Sequence, residues 1–174
     1  MKHWRWFIFI VVFSFSIAFV FGLATEMMGT QHIWVCALII VGLIAIAFLG
    51  DIFAVAGAYA EVSAFNAMAA RRVKGASTAI KLVKHSDRVS SILSDILGDV
   101  CGIISGAMGL TMSLVIIQNA DNTLFMNALI IALINATIAA VTILAKSIAK
   151  KIAIKNCNGI VFFLARVLRT FGIK

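Results

Sequence analysis

The sequence predicts an all-α integral membrane protein with four transmembrane helices, and three observations carry that expectation. Hydrophobic residues make up 63% of the 174 positions and charged residues only 13%, against about 45–50% and about 25% in a soluble domain. The apolar residues gather in four long runs, each near or above the roughly 17–25 residues a helix needs to cross a bilayer. The charges fall between these runs, in clusters that are mostly basic. Proline is absent, so no helix is expected to kink at one.

The chain starts with a basic amphipathic lead, MKHWR, followed by an apolar run from Trp6 to Leu23 that holds six phenylalanines. Trp4 and Trp6 suit the interface belt. A basic start, an apolar run and the small Gly22 and Ala24 also fit a secretory signal; a retained helix is the expectation here. The loop TEMMGTQH, residues 25–32, has one acid and no Lys or Arg, which suits the outer face. Ile33 to Ala60 is the second span, with Asp51 inside it and Glu61 closing it.

Glu61 to Arg88 is the main polar segment. Its first half has helical character, Lys74-Gly75 reads as a break, and ASTAIKLVKHSD sets Ala79, Ile80, Leu82 and Val83 against Lys81, Lys84 and His85. That pattern predicts a short amphipathic helix on the membrane surface. Ser86 is placed to cap the next helix. Val89 to Ile117 is the third span, and the turn QNADNT has no basic residue. Leu124 to Leu144 is the fourth span, whose helix continues through AKSIAKKIAIK. From Asn158 onward, apolar residues interleave with Arg166 and Arg169, predicting a second surface helix. Basic residues mark the cytoplasmic side of spans, which places both termini inside a plasma or bacterial inner membrane.

The third span is the most unusual stretch. Asp95 and Asp99 stand four residues apart, as do Ser94, Gly98, Gly102 and Gly106. Small residues at this spacing let a second helix approach closely. An acid at membrane depth is costly and marks a candidate site. The helix is therefore expected to be wrapped by others, with its acids facing inward.

The function classes narrow accordingly. No nucleophile–base pair, phosphate loop or zinc helix motif is present, so no enzyme is expected. Net charge is +8, but no soluble domain exists to display a nucleic-acid surface. The basic helices point instead to anionic lipid headgroups, with Arg71, Arg72, Lys150 and Lys151 as candidate contacts. Cys36, Cys101 and Cys157 share no metal-like spacing and read as small apolar packing residues.

The segment from about Ala58 to Phe171 resembles the transmembrane domain of the cyclin-M/CorC family. The family's Ser-Gly-x-Glu-Thr-Ala motif aligns with Ala58-Tyr59-Ala60-Glu61-Val62-Ser63. Its basic stretch, Gly-Ala pair, leucine and turn align with Arg71-Arg72, Gly75-Ala76, Leu82 and Asp87-Arg88. Its Gly-Asn step reads Gly98-Asp99, and its Gly-Glu-x-x-Pro-Lys motif reads Ala145-Lys146-Ser147-Ile148-Ala149-Lys150. The resemblance implies a three-helix module over residues 33–174, preceded by an extra helix and outer loop over 1–32. It also implies magnesium or cobalt transport and a homodimer, or a membrane-protein partner.

The implied ion site would use Asp99, Glu61 and Asp51, with Asn135, Thr137 or Ser105 adding neutral oxygens. Magnesium takes octahedral oxygen ligands and sheds water reluctantly. The family's serine is Ala58 here, its amide is Asp99, its glutamate is Lys146, and no CBS domains follow in this sequence. Two expectations follow. Either a divalent cation still passes and Lys146 snorkels to the interface, or Lys146 replaces the ion and the chain is a non-transporting partner or regulatory subunit.

Overall fold

The computed structural model describes residues 2–27, 32–118 and 123–170. Among the described residues, 93% are in helix and none is in a strand. In order, the helices are α1 (Lys2–Met27), α2 (Ile33–Tyr59), α3 (Val62–Ala70), α4 (Ala76–Lys84), α5 (Ser86–Ser90), a π-helical turn (Ser91–Ile96), α6 (Leu97–Gln118), α7 (Leu124–Lys155) and α8 (Cys157–Thr170). Three helical stretches are long and apolar enough to cross a membrane: Ile33–Tyr59, Ser86–Gln118 and Leu124–Lys155. The apolar part of α1, Ile8–Leu23, is shorter. The expected outer loop and the turn QNADNT fall largely on residues 28–31 and 119–122, outside the described residues.

Contacts divide the chain into two units, Met1–Ala47 with Ile96–Ala145, and Phe48–Asp95 with Lys146–Lys174. In the first, α1 packs on α6. Cys36, Ile40, Leu43 and Ala47 form the buried stripe of α2, spaced three and four apart as one helix face requires. Ile96, Val100, Ile104 and Met108 form the matching stripe at four-residue spacing. Gly109 allows the close approach of α7: a Cβ there would lie 2.5 Å from Ile138 Cδ1 and 2.7 Å from Asn135 Oδ1. Within this unit, residues 124–145 of α7 include none that is buried, and Leu124 and Phe125 are 90% and 74% exposed.

In the second unit, α4 packs on both α3 and α8. Phe65 of α3, Ala79 of α4, Ala153 of α7 and Val161 and Ala165 of α8 form its core. Four of these five are Ala or Val, which lets the short helices approach closely. The cations of α4 and α8, Lys81, Lys84, Arg166 and Arg169, are exposed. Asn158 Oδ1 accepts a hydrogen bond from the Glu61 backbone N–H at 3.1 Å, tying the start of α3 to α8.

The connection from α3 to α4 is set by two left-handed residues. Arg72 has φ +55°, with its N–H bonded to the Ala69 carbonyl and the Val73 N–H bonded to the Met68 carbonyl. This is the Schellman end of a helix, with arginine at the position glycine usually takes. Gly75, at φ +101°, is the residue before α4. The break expected at Lys74-Gly75 is therefore a real change of chain direction. Ser86 differs from its expected role: it is the first residue of α5, and His85 holds the cap position with no side-chain cap bond.

Candidate functional site

The residues that build the candidate site, Gly50, Asp51, Ala54, Ser90, Leu93 and Ser94, all lie within the second unit. Gly50 and Asp51 are consecutive on α2. A Cβ on Gly50 would lie 2.8 Å from the Leu93 carbonyl oxygen, so only glycine admits that backbone contact. The close approach brings hydroxyls onto α2. Ser90 Oγ donates to the Ala54 carbonyl at 2.7 Å, and Ser94 Oγ donates to Asp51 Oδ1 at 2.6 Å.

Asp51 is 1% exposed, the most deeply buried acid among the described residues. Its second oxygen, Oδ2, is buried and has no hydrogen-bond partner among the described residues. Insertion scales put an aspartate at the centre of a membrane helix at about 2.5–3.5 kcal/mol unfavourable. A buried carboxylate oxygen left unbonded adds further cost. The polar atoms paired here are oxygens, the carboxylate and Ser94 Oγ. Oxygen donors suit a hard cation.

The stretch Ser91–Ile96 that carries Leu93 and Ser94 is π-helical. Such turns are rare and occur frequently at functional sites. The wider turn shifts the helix register between Ser90 and Leu97.

The other expected site residues are placed differently. Asp99 and Asp95 are exposed rather than inward-facing. The reason is register: the buried stripe of α6 runs through Ile96, Val100 and Ile104, and Asp99 stands one position off it, on the side of exposed Ile103. Glu61 is also exposed, and its Oε2 accepts a hydrogen bond from Ser63 Oγ at 3.3 Å. Lys146 is half-buried; it and Asp99 each have a polar or electrostatic partner. Among the described residues, no group of three or more His, Cys, Asp or Glu that could hold a metal comes together. Ser105 is buried and spends its hydroxyl on the Cys101 carbonyl, as Thr137 does on the Leu133 carbonyl. Asn135 lies against Gly109.

The ladder of small residues divides. Ser94 bonds Asp51, whereas a Cβ on Gly102 or Gly106 would meet nothing within 4 Å. The close helix approaches fall on Gly50 and Gly109 instead. Arg71, Arg72, Lys150 and Lys151 are all exposed, as lipid contacts would be.

Sequence reasoning treated Asp51 as one acid of three and Ser94 as a packing residue. It missed their pairing, the π-helical turn and Gly50. The available signal was the Gly50-Asp51 pair on one apolar span and the four-residue spacing of Ser90 and Ser94 on another.

Compared with known protein families, curated proteins and solved structures, the chain has no match.

Proposed function

We propose that this chain is a polytopic membrane protein that binds and passes a divalent cation, with magnesium as the substrate and Asp51 as the carboxylate that receives it. The observation that carries this reading is the buried Asp51 side chain, with one oxygen bonded by Ser94 and the other left without a partner. Asp51 stands eight residues before the end of α2 at Tyr59, or about 12 Å of helical rise. That depth lies inside the hydrocarbon layer when α2 spans the membrane. A cation arriving there meets one carboxylate and neutral oxygens, a set that leaves most of magnesium's coordination to retained water.

The reading includes the four-span arrangement with both termini cytoplasmic, in which α1 crosses as well. It includes the cyclin-M-like module, α4 and α8 on the cytoplasmic surface, and a homodimer. The exposed apolar surface of α7 supports a lipid-facing or partner-facing role for that helix. The alternative of a non-transporting subunit keeps Lys146 in the ion's place, with its ammonium paired to a carboxylate instead of a cation.

The test is thermal unfolding of the full chain in detergent with increasing magnesium. The proposal expects a magnesium-dependent rise in Tm that Asp51→Asn removes and that Glu61→Gln leaves in place. The same measurement on Asp99→Ala tells whether the second acid joins the site. No rise in the native chain, together with a rise in Lys146→Gln, would favour the subunit reading.

A further inference from the structure

We propose that the cavity between the α3–α4 connection and α8 is a binding site for the phosphate headgroup of an anionic phospholipid. The cavity is lined by Val73, Lys74, Arg166, Arg169 and Thr170 and has a volume of about 600 Å³. That is within the usual range of ligand pockets. Three of its five lining residues are cationic and none is acidic, while the Thr170 hydroxyl donates to the Arg166 carbonyl at 3.0 Å.

The site is built by local backbone choices. The left-handed residues Arg72 and Gly75 bracket Val73 and Lys74 and hold them in a tight turn. Gly75 lies against α8, where a Cβ would stand 3.8 Å from the Arg166 Cα and 3.9 Å from the Phe162 ring. Lys74 is thereby held at the Arg166 turn of α8. On α8 itself, Arg166, Arg169 and Thr170 are three and four residues apart and so share one face. The Arg166 guanidinium is held over the Phe162 ring at 5.0 Å, which limits its freedom before any ligand binds.

Charge complementarity selects a phosphate. Guanidinium forks bind phosphate oxygens in paired hydrogen bonds, and a lysine adds a point charge. The apolar neighbours select its source. Phe163, one turn before Arg166 on α8, is 61% exposed, and Val73 in the lining is 39% exposed. An apolar side chain beside a cation cluster suits a phosphate that carries an acyl chain better than one free in water. This site is separate from Asp51 and does not depend on the ion reading. It also differs from diffuse attraction to Arg71 and Arg72, because it predicts saturable binding with specific residues.

The experiment is thermal unfolding of the full chain in a neutral detergent, titrated with one of three probes: short-chain phosphatidic acid, short-chain phosphatidylcholine or inorganic pyrophosphate. The proposal expects a saturable rise in Tm with phosphatidic acid and none with the other two at equal concentration. Lys74→Gln and Arg169→Gln should each weaken the phosphatidic acid response about tenfold, the loss of one charge-assisted contact. Arg71→Gln, outside the cavity, should leave it unchanged, and Arg169→Lys should retain most of it. Lys74 lies in a turn and outside the core, so its variant reports binding even if an α8 variant unfolds. Equal responses to phosphatidic acid and phosphatidylcholine would overturn the proposal. So would an equal response to pyrophosphate, which would make the site one for a free anion, or equal weakening by Arg71→Gln.

Discussion

Ser94 Oγ donates a 2.6 Å hydrogen bond to Asp51 Oδ1, joining two apolar spans through a half-buried hydroxyl and a buried acid. The bond depends on its neighbours. Gly50 admits the Leu93 carbonyl to α2, and the π-helical turn presents Leu93 and Ser94 together. The acid is thereby half-satisfied, with Oδ2 left without a hydrogen-bond partner among the described residues.

Removing the hydroxyl takes away the one bond shown to the Asp51 carboxylate among the described residues. Ser94→Ala should therefore destabilise the fold by about 1–3 kcal/mol. Unfolding in mixed micelles, with Ser90→Ala in parallel, measures it. Ser90 donates to a carbonyl on α2 rather than to the carboxylate, so its loss should cost less, about 0.5–1.5 kcal/mol.

Gly50→Ala forces a methyl to 2.8 Å from a backbone oxygen that cannot swing aside. The expected cost is about 1–3 kcal/mol. Gly102→Ala and Gly106→Ala meet nothing within 4 Å, and each should stabilise its helix by up to about 1 kcal/mol. Should either alanine instead weaken self-association in crosslinking, the ladder serves a second copy of the chain.

The α3–α4 turn offers opposite outcomes at its two left-handed positions. Arg72 at φ +55° sits where glycine is preferred, so Arg72→Gly should stabilise by about 0.5–1 kcal/mol. Gly75 at φ +101° admits no side chain without strain, so Gly75→Ala should destabilise by about 1–2 kcal/mol. Thermal unfolding in one detergent checks both signs.

Much of the helical plan was legible in the sequence. The three long spans, the short helices α4 and α8 and the break at Lys74-Gly75 follow from apolar run length and amphipathic patterning. These are local properties, and local spacing reports them. The site was legible only in part. Asp51 was visible as an acid in an apolar span, but its standing above Asp99 was not. That difference depends on which face of each helix packs inward, and the four-residue spacing of Asp95 and Asp99 carries no sign of it. The π-helical turn left no signature in Ser91–Ile96, whose residues an ordinary α-helix also accepts.

The most direct test of Asp51 as the cation's carboxylate is magnesium flux into proteoliposomes holding a magnesium-sensitive dye. The native chain should carry flux above protein-free vesicles. Asp51→Asn, reconstituted to the same density, should lower it at least about tenfold, a loss of roughly 1.4 kcal/mol or more. Flux through Asp51→Asn equal to that of the native chain would contradict the account.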